Sequence, residues 1–249
     1  MFSPDLKERG FYFMPFGIRL LILFGIVAFI IGIFVVIGIV FKNKPVFSNK
    51  FIAKTAVFSA LSVILYCVPV FKFSLPIFPS FLEIHFDEVP AFIAGFAYGP
   101  ISGLTVILVK TIVKLPLTST ACVGELADLL YSAAFIVPAA LIYKKNRSIP
   151  GAILSLSAAT LIQVAVASLF TTFVMLDVYV ILMPFLTKEI ILGMCNKINP
   201  LINNLTWDFL LWVGIPFNAI KDAIVVLITL LLYKRLHVLI DRVSTKKRG

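Results

Sequence analysis

From Leu20 to Phe41 the chain runs for 22 residues without a charged side chain, and about 20 apolar residues carry an α-helix across the roughly 30 Å hydrocarbon core of a bilayer. Further apolar runs follow at Thr55 to Phe71, Val89 to Val109, Ala121 to Tyr143, Gly151 to Leu176 and Phe209 to Tyr233. The polar stretches between them are too short to form domains, so lipid is the solvent for most of this chain. Composition agrees, with 61% hydrophobic and 14% charged residues against about 45–50% and 25% in soluble domains. Helices satisfy every backbone group inside runs of this kind, which gives an all-α integral membrane protein. The first run is read as a retained helix and not a signal peptide, because it is long and no small-x-small cleavage pattern follows it.

A net charge of +10 does not indicate a nucleic-acid partner here. The basic residues sit in short clusters between apolar runs: Lys42, Lys44, Lys50 and Lys54; Lys144, Lys145 and Arg147; Lys234, Arg235, Arg242, Lys246, Lys247 and Arg248. This is the positive-inside pattern of cytoplasmic loops, and it places a multi-pass protein in the plasma membrane with a cytoplasmic C-terminus. The run from Val89 to Val109 contains Tyr98-Gly99-Pro100, where proline disfavours helix in the preceding residue and glycine accepts a turn. Two short helices joined at that turn are expected. Charge bias alone fits this arrangement and a single span equally. Broken helices at membrane depth need protein or a cavity around the freed backbone, so an interior pocket is expected close by.

Ionisable side chains at membrane depth cost at least about 2.5–3.5 kcal/mol each and normally face a bundle interior or a ligand path. Lys110 and Lys114 lie about one helical turn apart, as do Glu125 and Asp128, and Asn218 and Lys221. His85, Asp87 and Glu88 form a polar patch before Val89-Pro90. Each group also has a structural reading. Acidic residues cap helix N-termini, which suits the His85 to Glu88 patch and Glu125 with Asp128, and the latter pair could bridge to Lys110. Asn218 and Lys221 interrupt an apolar stretch and are favoured as ligand contacts. Asp222 could neutralise Lys221, although adjacent residues do not share a helix face. Cys67, Cys122 and Cys195 are odd in number and widely spaced, which indicates neither a disulfide framework nor a metal site. Phosphate loops with GK[ST], HExxH and GxSxG are all missing, so no catalytic centre and no cofactor are expected.

The order of motifs resembles the S components of energy-coupling factor (ECF) transporters, and within them the riboflavin-specific group. The resemblance rests on Ala56-Val57-Phe58-Ser59-Ala60, on Leu82 to Ala91 (LEIHFDEVPA), on Tyr98 to Gly103 (YGPISG), and on Val109-Lys110. Further on it includes Val123 to Asp128 (VGELAD), Pro138 to Lys145 (PAALIYKK) and Ile215 to Lys221 (IPFNAIK), and it spans about Lys50 to Lys234. It implies a six-helix core at residues 46–240, preceded by an extra transmembrane helix within residues 1–45 and followed by a basic cytoplasmic tail at residues 241–249. It also implies an outward-facing pocket covered by the loop from about Pro69 to Ser80. The transported ligand would be riboflavin or a related vitamin, contacted by Asn218 and Lys221 with Glu125, Asp128, Lys110 and Thr171 around them. Ala56 and Ala60 would face a membrane-embedded coupling protein, which works with two cytoplasmic ATPases. The chain differs from the riboflavin members at Thr171-Thr172, where they carry an Asn-Tyr-type pair, at His85, where they carry Asp, and at Asp222, where they carry Gly. The stretch from Asp177 to Asp208 is also longer than theirs. An S component for another vitamin, or a self-sufficient proton-coupled carrier using Glu125 and Asp128, are the alternatives.

Overall fold

The computed structural model describes residues 49–183 and 185–245, so the expected helix from Leu20 to Phe41 lies outside the described residues. The described chain is mostly helical. Helix α1 (Asn49–Cys67) is followed by a loop, then α2 (Glu88–Tyr98), α3 (Pro100–Lys114) and α4 (Val123–Lys145). Helix α5 (Ile149–Phe170) continues through a π-helical turn, Thr171–Met175, into α6 (Leu176–Leu182). After the short α7 (Lys188–Asn196), the small α8 (Trp207–Phe209) runs through a second π turn, Leu210–Gly214, into the long α9 (Ile215–Thr245). Pro100–Leu117, Val123–Lys145, Ile149–Leu182 and Trp207–Arg235 are each long and apolar enough to cross a membrane.

The expected break falls at Gly99, whose φ of +104° is open to glycine and strained for other residues. Pro100 then starts α3 at a position where a missing N–H costs nothing. The hairpin of α2 and α3 packs tightly because of small residues. A Cβ on Gly103 would lie 2.9 Å from the Ala91 carbonyl oxygen and 2.7 Å from Ile136 Cγ2, and one on Gly95 would lie 3.3 Å from Ala140 Cβ. Helix α2 is apolar around its circumference and almost wholly buried, as a central helix must be.

Polarity is distributed inside out. Asp87, Glu88, Lys110 and Asp222 are fully buried, whereas Val57 is 61% exposed and Leu161 75% exposed. That is the pattern of a bundle solvated by lipid, with its charges turned inward. At the end of α4 remote from Glu125, Tyr143 and Tyr233 share a hydroxyl hydrogen bond of 2.7 Å, and Phe96 stacks on Tyr143 at 4.3 Å. At the opposite end the loop after α1 folds over the bundle. One antiparallel bridge, between Phe73 and Ile84, closes it with hydrogen bonds of 3.2 and 2.8 Å. Between Asp177 and Asp208, Ile191 and Cys195 of α7 pack with Phe78 and Ile84 of that loop and with Phe209 and Phe217.

Candidate functional site

A cavity of about 270 Å³ opens between α1, α4, α6 and the two π turns, beneath the loop after α1. Glu125, Asp128, Thr171, Asn218 and Lys221 all line it. Residues separated by almost one hundred positions in sequence are therefore brought to one hollow. Lys110 does not line it but sits one layer below.

The π turns position two of these residues. Single π turns are frequent at functional sites because they shift the helix face by one residue. Thr171 begins the first turn, and its hydroxyl meets the Tyr131 hydroxyl at 2.8 Å. The second turn ends at Gly214, where a Cβ would lie 3.5 Å from Ser168 Cβ and from Thr172 Oγ1. One turn on, Asn218 Nδ2 donates to the Gly214 carbonyl at 2.9 Å and to Ser168 Oγ at 3.2 Å. Both amide hydrogens are thus committed to the scaffold, and the amide oxygen is the group left for a guest.

Glu125 is held differently. The loop before α4 passes through Ala121 and Cys122 at φ of 52° and 70°, a costly conformation for residues with side chains. This turn folds Thr118 and Thr120 back so that their hydroxyls donate to Glu125 Oε2 at 2.8 and 2.7 Å. Gly124 completes the fit, since a Cβ there would lie 2.6 Å from Thr120 Oγ1 and 3.1 Å from the Tyr179 hydroxyl.

Below the cavity lies a connected ionic network. Lys110 Nζ donates to Asp87, to Asp128 Oδ2 at 2.8 Å and to Ser132 Oγ at 3.2 Å. His85 bonds to Asp87 through Nδ1 and brings Nε2 to 3.7 Å from Asp128 Oδ1. Ser132 Oγ donates to Glu88 Oε1 at 2.9 Å, and Lys221 Nζ lies 3.3 Å from both Glu88 oxygens. Asp87 stands at the N-cap of α2 but makes no side-chain capping bond. The capping role open to it in sequence is therefore replaced by ion pairing, because a buried ammonium needs a partner more than a helix end does. Asp128 likewise pairs with Lys110 and does not cap. Asp222 touches none of this directly, and both of its carboxylate oxygens lack a hydrogen-bond partner among the described residues.

Sequence reasoning did not single out the aromatic walls, Tyr66, Tyr131, Tyr179, Phe209 and Phe217. Tyr131 carried a usable signal, because it follows Gly124 and Asp128 at helical spacing on one face of α4. Tyr66 carried none. Its ring is near Lys110 and Lys114, whose Nζ atoms lie 4.6 and 5.8 Å from its centroid, only because α1 and α3 pack together. Ala56 and Ala60 lie away from the cavity, exposed on α1.

Residues 50–233 match the family described as ECF transporter, substrate-specific component. The chain is 32% identical over 185 residues to the riboflavin transporter RibU of Staphylococcus aureus (strain TCH60), covering 74% of this chain and 90% of that protein. It is 27% identical over 195 residues to the riboflavin transporter FmnP of Bacillus subtilis (strain 168), covering 77% and 95%. The solved S component of a bacterial ECF transporter superposes with a TM-score of 0.59 at 31% identity, covering 76% of this chain and 95% of that one. With an all-helical membrane bundle, an interior polar cavity and a family match across most of its length, this chain belongs to the substrate-specific components of ECF transporters.

Proposed function

We propose that this chain binds riboflavin and delivers it through an ECF importer. The observation that carries the reading is the convergence of Lys221, Asn218 and Glu125 on one aromatic-walled cavity, in a chain similar to two riboflavin transporters. A flavin is a flat heterocycle with carbonyl and ring-nitrogen acceptors and one imide N–H along an edge. The Lys221 ammonium supplies donors to that edge, and the Asn218 amide oxygen accepts from an N–H. Tyr66, Tyr131 and Tyr179 offer apolar faces with polar tips, and Glu125 accepts from hydroxyls on a polyol tail. Lys110 is assigned an indirect part, holding Asp128 and Asp87 in place.

Transport needs partners that carry the energy source. The exposed alanines of α1, Ala56 and Ala60, form a flat strip suited to close helix contact and are assigned to a membrane-embedded coupling protein, with ATP hydrolysis on two cytoplasmic ATPases. The cavity faces outward and the C-terminus is cytoplasmic. The loop after α1 serves as the lid, seated by Phe78 against Phe217 at 5.4 Å between ring centroids.

The test is purification in detergent followed by riboflavin titration, read as quenching of flavin fluorescence. Saturable one-to-one quenching supports the reading. Colourless protein that leaves added riboflavin fluorescence unchanged overturns riboflavin as the ligand.

A further inference from the structure

Asp222 is fully buried on α9, beside the cavity-lining Lys221, and neither of its oxygens has a partner among the described residues. The surrounding charges do not supply one. Lys110 is engaged by Asp87 and Asp128, and Lys221 by Glu88, in the ionic network. Glu125 is satisfied by two threonine hydroxyls at the cavity. Asp222 is the carboxylate left over.

The charged groups acting on Asp222 are Lys221 on its own helix and Glu88 at the start of α2. Helix α5 packs against α9 but has no charged side chain from Ile149 to Phe170, and the π turn Leu210–Gly214 has none either. What α5 offers is Gln163, also fully buried and with both amide atoms unpartnered. The Ser168–Asn218 hydrogen bond fixes the register of α5 against the antiparallel α9. Gln163 lies five residues from Ser168 and Asp222 four from Asn218, so both sit roughly 6–7.5 Å deeper along the helices. A neutral amide and a carboxyl thus share one level of the bundle, and neither has a hydrogen-bond partner among the described residues. An isolated carboxylate is costly in such a place, whereas the protonated acid is tolerated.

We propose that Asp222 is a proton-binding site linked to the cavity: it holds a proton while ligand is bound, and on ionising it draws Lys221 away from the ligand. The link rests on the reading of Lys221 as a ligand contact. Ionised Asp222 competes for an ammonium already shared with Glu88, so affinity falls as the proton leaves.

The full chain and its Asp222→Asn and Asp222→Gly variants are compared by infrared spectroscopy at about pH 7, and by riboflavin titration from about pH 6 to about pH 9. The expected result is a protonated-carboxyl C=O band in the parent protein that both variants lack. Parent affinity falls by about tenfold across that range, while the variants stay within about twofold. A parent spectrum without a band removed by these substitutions overturns the proposal, as does a pH dependence that the variants retain. Affinity that follows sodium concentration at fixed pH, and loses that dependence in Asp222→Asn, overturns it in favour of a monovalent cation at the same carboxylate. The infrared measurement needs no ligand, so if riboflavin fails to bind the parent protein the functional reading falls and the band still decides the state of Asp222.

Discussion

Replacing Lys221 with methionine separates the two tasks this side chain performs. Its ammonium faces the cavity and also lies 3.3 Å from both oxygens of Glu88, which is fully buried. Removing the charge leaves Glu88 with the Ser132 hydroxyl at 2.9 Å as its remaining hydrogen bond. Breaking a buried ion pair from one side costs about 3–5 kcal/mol, and the surviving hydroxyl bond puts the expected loss of stability near the lower end, at about 3 kcal/mol. The lost contact to ligand is a hydrogen bond from a charged donor, worth about 1.5–3 kcal/mol, or roughly 10- to 150-fold in Kd. A second substitution, Glu88→Gln, removes the stranded charge. The double variant should therefore recover most of the stability and none of the affinity. Riboflavin titration reads the binding arm and thermal unfolding in a fixed detergent reads the stability arm, so the four proteins form a double-mutant cycle. Two results refute the reasoning. Lys221→Met with unchanged riboflavin affinity removes Lys221 from the ligand site, and a double variant no more stable than Lys221→Met removes the ion pair from the stability argument.

Gly124→Ala would place a methyl group 2.6 Å from Thr120 Oγ1 and 3.1 Å from the Tyr179 hydroxyl; overpacking of about 1–3 kcal/mol should displace the cavity wall and raise the riboflavin Kd by about tenfold or more, as read by fluorescence titration. Lys110→Met leaves Asp87 and Asp128 buried without their shared cation, so the yield of monodisperse protein in size-exclusion chromatography should fall much further than for Asn218→Ala. Gly103→Val sets side-chain atoms against the Ala91 carbonyl and Ile136 and should lower the unfolding temperature by separating α2 from α3, with a similar loss in the presence and absence of ligand.

The break at Gly99-Pro100 and the inward placement of Glu125, Asp128, Asn218 and Lys221 could be read from the chain alone. Proline and glycine act on their own backbone, and an ionisable group at membrane depth has few places to go. The role of each carboxylate could not be read in the same way. Asp87 has the position of a cap and Asp128 lies one turn further into α4 than the first-turn acid Glu125, yet both pair with Lys110, because α3 passes close enough for one ammonium to serve both. Lys110 carries the same charge as Lys221 and is no less apolar in its surroundings. Its difference is depth: one amine opens on the hollow and the other is sealed beneath it.

Local chemistry therefore settled that this chain is a lipid-solvated helical bundle, where its third apolar run divides, and which polar residues turn inward. Those properties depend on transfer energies and backbone dihedrals that each residue carries with it. Packing alone decided which inward-facing groups neutralise one another and which remain free. The π turns that aim Thr171 and Asn218, the aromatic walls and the isolation of Asp222 belong to the same class. Each depends on distances between helices far apart in sequence, and such distances exist only once the helices have found their partners.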